Sequence, residues 1–236
     1  MNFFLKLTVS SFIAAASAQR IPDGGERREI LDAHNHARRE MAVQYNVANM
    51  GELVWSDAAA QYGLNWLNQQ SCAFMHSDDS YAAGFGENIA GGYRSWTVAA
   101  YESWYKGELS CYKNAHPNWG NCGAYQCTCG HMTAMTWAAT TVVGCAQCDS
   151  PKVYICNYGS APPNMGGQNV FDAGSGAPCS NCSRSLPYCS NNLCTAGNAA
   201  NTAQGGLLTA LLAGIAVGAC LERCFLRLYS LDKEGF

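Results

Sequence analysis

Fourteen cysteines, all after residue 70, constrain the fold of this 236-residue chain more than any other feature. Their chemistry depends on the compartment, because oxidising compartments favour disulfides whereas reducing ones favour free thiols and metal sites. Residues 1–18 have the features of a signal peptide: Lys6 is the only charge before an apolar run, and Ala16-Ser17-Ala18 is an Ala-x-Ala cleavage signal. We therefore predict a secreted protein whose mature chain begins at Gln19 and is rich in disulfides.

Two Cys-x-x-Cys pairs have the spacing of zinc ligands, namely Cys145 with Cys148 and Cys179 with Cys182. In a secreted chain the same spacing favours disulfides, so we predict that these cysteines are bridged. The net charge is only −3, and no basic cluster is larger than two adjacent arginines. Nucleic acid is therefore not expected as a partner.

Composition divides the mature chain into three parts. Residues 19–165 are long enough for one domain with its own core. We assign residues 166–198 as a cysteine-rich hinge, because four cysteines lie within sixteen residues and so small a segment needs bridges for stability. Asn181-Cys182-Ser183 in this hinge fits the pattern for N-glycosylation, but a bridge at Cys182 is expected to hide it.

The tail, residues 199–236, contains a candidate membrane segment at 205–221. This segment has no charge, and as a helix it would span about 26 Å, short of the ~30 Å hydrocarbon core. Arg223 and Arg227 follow it, as expected of a single-pass anchor. A cleaved lipid-anchor signal and a peripheral helix are alternatives, so we expect an extracellular protein, either free or attached at the cell surface.

Apolar residues at helical spacing predict an amphipathic helix over Glu26–Tyr45. The pattern places Arg38 on the polar side of this helix. Two histidines on the same helix, His34 and His36, are expected to be packed and hydrogen-bonded rather than functional.

Two further helices are predicted by N-cap residues followed by apolar faces. Ser56 is a favourable cap for a helix that continues towards Cys72. Thr97 is expected to cap a third helix, in which an aromatic stripe belongs to the core and Glu108 lies at the end.

Alternating apolar residues predict two strands, Met132–Ala146 and Lys152–Tyr158, with His131 opening the first. Asp149-Ser150-Pro151 between them is typical of a turn, so the pair is predicted to form an antiparallel hairpin. Helices around a small antiparallel sheet give an α+β sandwich.

Several short phrases agree with a known family in order and spacing. They are Leu31-Asp32-Ala33-His34-Asn35-His36-Ala37-Arg38, Cys72 to Ser77, Gly86-Glu87-Asn88-Ile89, Gly130 to Trp137, and Tyr154-Ile155-Cys156-Asn157-Tyr158 with Pro163-Asn164. Through these phrases the chain, from about Glu26 to Asn164, resembles the CAP superfamily. This superfamily has an SCP domain and includes cysteine-rich secretory proteins, insect venom antigen 5 and plant pathogenesis-related proteins.

The resemblance implies a three-layer α-β-α sandwich with a small antiparallel sheet, here followed by the cysteine-rich hinge and the apolar C-terminal segment. It also implies that His76, Glu87, Glu108 and His131 form the tetrad of a central cavity. The family's disulfide pattern implies Cys72–Cys148 and Cys145–Cys156. The pairing among the remaining cysteines of the long loop, Cys111, Cys122, Cys127 and Cys129, stays open.

One departure from the family pattern concerns Glu108. The family usually has Trp-Tyr-x-Glu, whereas Trp104-Tyr105-Lys106-Gly107-Glu108 contains one extra residue. One extra residue turns a helical side chain by about 100°, so the spacing of Glu108 departs from the family's although the resemblance places it in the tetrad.

The tetrad allows three interpretations. His76 and His131 could bind zinc or another divalent cation weakly, with Glu87 and Glu108 hydrogen-bonding to bound water. The four residues could instead be a buried network that joins helices to sheet. A third alternative is a metal-dependent extracellular endopeptidase in which Glu87 and Glu108 are catalytic.

We favour a binding module over an enzyme, because the sequence contains no HExxH helix and no Gly-x-Ser-x-Gly elbow. The resemblance implies a sterol, another lipid or a protein partner as the ligand. Tyr112, Trp119 and Tyr125, in the loop between Cys111 and Cys129, could line an apolar recess for it. The alternative is that these aromatic side chains simply pack under a loop tied by disulfides.

Overall fold

The computed structural model describes residues 18–115, 127–164, 168–172 and 176–197. Strands and helices alternate as far as the third strand, three helices follow, and the last four elements are strands. In order they are β1 (Gln19–Arg20), α1 (Gly24–Gln44), β2 (Val54–Trp55), α2 (Asp57–Gln69), β3 (Gly86–Gly91), a π-helix (Val98–Lys106), α3 (Gly107–Ala115), α4 (Gly130–Met135), β4 (Val142–Asp149), β5 (Lys152–Gly159), β6 (Tyr188–Ser190) and β7 (Leu193–Thr195). The predicted signal peptide lies almost wholly outside the described residues, as do Cys122, Trp119, Tyr125 and the segment 205–221.

The main sheet has five strands in the order β1-β4-β5-β3, with β2 beside β4. Its centre is the β4–β5 hairpin, which is antiparallel from Val142 opposite Gly159 to Asp149 opposite Lys152. Both central strands are buried along nearly their whole length. A strand that is buried on both faces must be covered on both sides, so the sheet forms a middle layer.

Two hydrophobic cores cover the two faces of the sheet. On one face α1, the π-helix and α4 contribute to the larger core, which also contains Tyr154 and Tyr158 of β5. On the other face α2 packs through Leu67 against Ala146 and Ile155. The three-layer α-β-α sandwich is therefore confirmed.

The predicted first strand is wrong in its first part. Residues Gly130–Met135 form α4, and β4 begins only at Val142. Met132 to Met135 are all buried, so the helix has no polar face by which its sequence could be recognised. The order of apolar and polar residues there resembles the alternation of a strand. The Thr133 and Thr136 hydroxyls donate to the carbonyls four residues earlier, at 2.9 Å in both cases.

Local signals placed α1 and α2 correctly. Asp23 caps α1 in a capping box with Glu26, two to three residues before the predicted start. Ser56 caps α2 by accepting a 3.2 Å hydrogen bond from the backbone N–H of Ala59. The cap prediction for Thr97 is wrong, because its N–H and hydroxyl both donate to Glu29 and the helix that follows is a π-helix.

Arg38 does not lie on a polar surface as predicted, but is completely buried. Its guanidinium donates to five main-chain carbonyls at 2.6–3.4 Å, those of Gly51, Met135, Trp137, Ala138 and Thr140. Burial lowers the pKa of Arg38 to about 9, so the group is still cationic at neutral pH. The helical pattern could not reveal this role, because the acceptors belong to distant backbone.

Five disulfides connect described cysteines. They are Cys72–Cys148, Cys111–Cys127, Cys145–Cys156, Cys179–Cys189 and Cys182–Cys194. The Cys145–Cys156 bridge joins residues directly opposite each other on β4 and β5, and the Cys72–Cys148 bridge ties the end of α2 to the same hairpin. The cysteine-rich segment thus has bridges of its own, in addition to those of the sandwich.

The cysteine-rich segment packs on the sandwich rather than extending from it. Val170 and Phe171 belong to the main core. Cys194 of β7 pairs with the backbone around Gly51, donating to the carbonyl of Met50 and accepting from the N–H of Glu52, both at 2.8 Å. Among the residues that the structure describes, no helix is long and apolar enough to cross a membrane.

Replacing Arg38 by methionine should destabilise the fold by about 3 kcal/mol or more, because five buried carbonyls lose their donor. The free energy of unfolding in urea measures this loss. Arg39→Met is the matched control, since Arg39 is adjacent in sequence and only partly buried, and a change of no more than about 0.5 kcal/mol is expected there. Equal losses in the two variants would contradict the role of Arg38.

His34 should make the fold sensitive to acid. It is buried, with Nδ1 2.7 Å from the carbonyl oxygen of Ile30 and Nε2 2.9 Å from the Tyr158 hydroxyl, and burial lowers its pKa to about 4. At a pH below the ordinary pKa of histidine, His34 binds a proton in the unfolded state but not in the folded state. The free energy of unfolding therefore decreases as the pH is lowered, until the pH reaches the pKa of His34 in the folded state.

We expect this group to contribute a loss of about 2 to 3 kcal/mol between pH 7 and pH 4.5. Urea unfolding at the two pH values should show a smaller loss for His34→Gln than for the unmodified protein. His36→Gln is the control, because His36 is exposed. An unchanged pH dependence in His34→Gln would show that other groups cause the acid sensitivity.

Candidate functional site

The candidate site is an open cleft of about 650 Å³ between the loop after α2, strand β3 and the start of α4. Three of the four predicted residues line it: His76 from the loop, Glu87 from β3 and His131 from the first turn of α4. Glu108, on α3, lies behind His131 and is almost completely buried. The structure therefore arranges the tetrad as two His–Glu pairs.

The first pair joins His76 to Glu87. The His76 Nδ1–H donates to Glu87 Oε1 at 2.8 Å, and this hydrogen bond raises the pKa of the imidazole above its ordinary value. Glu87 also accepts from the N–H and hydroxyl of Ser77, at 3.0 and 2.6 Å, and from Asn157 Nδ2 at 3.3 Å. The Glu87 side chain is 3% exposed whereas that of His76 is 58% exposed, so the carboxylate holds an imidazole that reaches solvent.

The second pair joins His131 to Glu108 in a similar way. The His131 Nδ1–H donates to Glu108 Oε1 at 2.7 Å, and the backbone N–H of Met132 donates to Oε2 at 2.9 Å. The Trp104 ring lies nearly parallel to the His131 ring, with centroids 6.0 Å apart. Both the direction and the plane of this imidazole are therefore fixed by its neighbours.

Glu108 contacts His131 in spite of the extra residue, and the π-helix explains why. Across its end the Gly107 N–H donates to the carbonyl of Glu102, five residues earlier, so this turn accommodates one residue more than an α-helical turn. The extra residue between Tyr105 and Glu108 is absorbed by the wider turn, and Glu108 still reaches His131. One additional residue within a helical motif is the sequence signal that could have indicated a π-helix.

Asn88 connects the second pair to the core. Its amide nitrogen donates to the His131 carbonyl at 3.0 Å and to the Tyr158 hydroxyl at 3.1 Å. Tyr158 in turn contacts His34 on α1. Asn88, Ser77 and Trp104 were not predicted as site residues, although each lies within a family phrase or beside one, and only their contacts reveal what they do.

Two other features do not form a ligand site, one of which the sequence had suggested. Tyr112 does not line an open recess, because it is fully buried and packs against Tyr45 and Phe171. A second groove, of about 680 Å³, lies between α1 and the π-helix, but charges of both signs line it and favour no single class of ligand.

The sulfurs of Cys179, Cys182 and Cys194 lie within 4.8 Å of one another, the one cluster of three such ligand atoms in the described part of the chain. All three sulfurs are in disulfides, with Cys189 as the fourth member, so they are not available as thiolate ligands. In the cleft, by contrast, the carboxylates hold the Nδ1 protons, which leaves Nε2 of each imidazole as the atom able to bind a cation.

Comparison with known proteins agrees with these features. The family model described as "Cysteine-rich secretory protein family" (CAP) matches residues 31–158. Pathogenesis-related protein 1A1 of Solanum lycopersicum is 31% identical over 175 residues, which cover 72% of this chain and 88% of the relative. Cysteine-rich secretory protein 3 of Homo sapiens is 31% identical over 182 residues, which cover 72% of this chain and 69% of the relative.

Solved structures show the same architecture. BmVAL-1 superposes with a TM-score of 0.62 at 26% identity, covering 75% of this chain and 97% of that one. NaASP2, solved as a crystal structure with Zn²⁺, superposes with a TM-score of 0.61 at 26% identity, covering 74% of this chain and all of that one. In sequence and in fold, the chain belongs to the CAP family of cysteine-rich secretory proteins.

Proposed function

We propose that this CAP protein is an extracellular binding module whose central cleft takes a divalent cation, zinc or a similar ion, through His76 and His131. The observation that carries the proposal is the pair of hydrogen bonds from Nδ1 to buried carboxylates. Histidines that bind metals usually donate their other ring N–H to a carboxylate or carbonyl, which fixes the tautomer and raises the basicity of the ligand nitrogen. Both histidines of the cleft have this arrangement.

The proposed site would bind the cation with low affinity, unlike a structural zinc site. Structural zinc sites use four protein ligands, whereas the two imidazoles supply two, and water or a bound partner would fill the remaining positions. Glu87 and Glu108 act as supports behind the imidazoles. The crystal structure of NaASP2 with Zn²⁺ supports a cation as the ligand in this family.

The carboxylates give no support for peptidase activity. A metal-dependent peptidase needs a base that accepts a proton from the attacking water. Both oxygens of Glu87 accept protein hydrogen bonds, and so do both oxygens of Glu108. A carboxylate committed in this way holds its histidine in place and is poorly suited to take a proton from water.

For the organic ligand we propose a sterol or another lipid seated over the cleft, with a protein partner as the alternative. Large apolar side chains are exposed close to His76: Phe74 is 63% exposed, Met75 44% and Tyr81 52%, and Tyr81 lines the cleft itself. Several exposed apolar side chains beside a cleft are typical of a binding surface. The cleft volume lies in the range of small-molecule sites.

Extracellular location is part of the proposal. The N-terminal signal-peptide pattern and the disulfides favour the secretory pathway. A membrane attachment through 205–221 stays a proposal from sequence, because that segment lies outside the described residues.

Zinc binding to metal-free protein should depend on both histidines of the cleft. In calorimetric titration, His76→Ala and His131→Ala should each lower the affinity by at least about tenfold, and Glu108→Gln by about tenfold through loss of the supporting hydrogen bond. His36→Ala is the matched control, since His36 is an exposed histidine on α1 away from the cleft. Unchanged affinity in the double variant His76→Ala/His131→Ala would refute the site.

Lipid capture predicts saturable binding of radiolabelled cholesterol or fatty acid to the purified protein. Phe74→Ser combined with Met75→Ser should weaken that binding about thirtyfold or more, because two apolar contacts of about 1 kcal/mol or more each are lost. Val43→Ser is the control, since Val43 is 56% exposed but lies on α1. Without saturable binding of either lipid, the protein alternative would replace this version.

A further inference from the structure

The cysteine-rich segment contains the only Asn-x-Ser/Thr sequence in the chain, Asn181-Cys182-Ser183. In the secretory pathway this sequence is an acceptor for N-linked oligosaccharide when the asparagine is accessible. The expectation from sequence was that a bridge at Cys182 would hide it. The structure decides the point, because the bridge partner and the exposure of each residue are known.

The disulfide does not hide the acceptor. Cys182 is bonded to Cys194, which is buried, so the bridge turns the cysteine side chain towards the protein. Its neighbours Asn181 and Ser183 are both exposed. The three residues belong to neither a helix nor a strand, so no regular hydrogen-bonding pattern encloses them.

The backbone of Asn181 is fixed while its side chain is free. The Asn181 N–H donates to the carbonyl of Ala48 at 2.9 Å, which anchors the turn on the sandwich. Its side-chain amide forms no hydrogen bond with any of the described residues. The reacting nitrogen is therefore presented at the surface on an ordered support.

A neutral cleft beside Asn181 provides room for sugars. It has a volume of about 500 Å³ and lies between the cysteine-rich segment and the sandwich. No charged residue lines it, and its polar lining consists of hydroxyl and amide side chains: Asn49, Thr141, Ser160, Asn181, Ser183 and Ser185. Such groups donate and accept hydrogen bonds in the way that sugar hydroxyls require.

We propose that Asn181 is an N-glycosylation site, and the proposal rests on the secretory route proposed above. The donor is an oligosaccharide linked to a lipid pyrophosphate, which the secretory pathway supplies. A bond forms between Asn181 Nδ2 and C1 of the first N-acetylglucosamine, the bond from that C1 to the pyrophosphate oxygen breaks, and the lipid pyrophosphate leaves with the proton lost from the amide. The first sugar then lies at the rim of the neutral cleft.

The test is mass spectrometry of the full chain recovered from the medium and membranes of a eukaryotic secretory host. Treatment with peptide N-glycosidase should remove the oligosaccharide and convert Asn181 to aspartate in the corresponding peptide. Ser183→Ala should abolish the modification, and Ser183→Thr should retain it. Ser185→Ala is the matched control, because it removes the same 2.9 Å contact between the Ser183 and Ser185 hydroxyls but leaves the acceptor sequence intact.

The outcomes separate this inference from the proposed function. If Asn181 carries no oligosaccharide in the wild-type chain and in Ser183→Thr, both recovered from the medium, the glycosylation site is overturned and the secretory route stays intact. A chain found only in the cytosol would overturn both.

Discussion

The five hydrogen bonds from buried Arg38 to main-chain carbonyls join α1 to the loop before β2 and to the segment between α4 and β4. A buried cation without a carboxylate partner is costly unless its donors are satisfied, so these carbonyls must converge on α1. Four of them come from residues 135–140, which lead from α4 to β4. The position of α4, and with it of His131, therefore depends on this arginine.

The cleft repeats one physical device on two different supports. In each pair a buried carboxylate accepts hydrogen bonds from nearby backbone or side-chain donors and also accepts one from the Nδ1–H of an imidazole. His76 is held from β3 and His131 from α3, so the layers of the sandwich have to be assembled before the two imidazoles share a cleft. This division of roles favours binding over catalysis, because the acidic groups are engaged in supporting the bases.

Disulfides and noncovalent packing act in different regions. The Cys145–Cys156 and Cys72–Cys148 bridges reinforce a sheet that is already covered on both faces, whereas the cysteine-rich segment has little core of its own and depends on two bridges and on the strand contact at Gly51. Its docking creates the neutral cleft beside Asn181. The same docking leaves the asparagine at the surface while it draws Cys194 into the interior.

The sequence by itself determined the family through its short motifs, and the resemblance to that family implied the three-layer sandwich. It also determined the helix α1, the β4–β5 hairpin and the cap of α2, because periodicity, turn residues and capping act over a few neighbouring residues. Only the tertiary structure decided that Arg38 is buried, that Met132 lies in a helix rather than in a strand, and that Asn181 is exposed. It also decided that Glu108 reaches His131, because a single inserted residue can either rotate a side chain or widen a turn. Contacts with distant residues choose between these outcomes, and a local pattern contains no information about them.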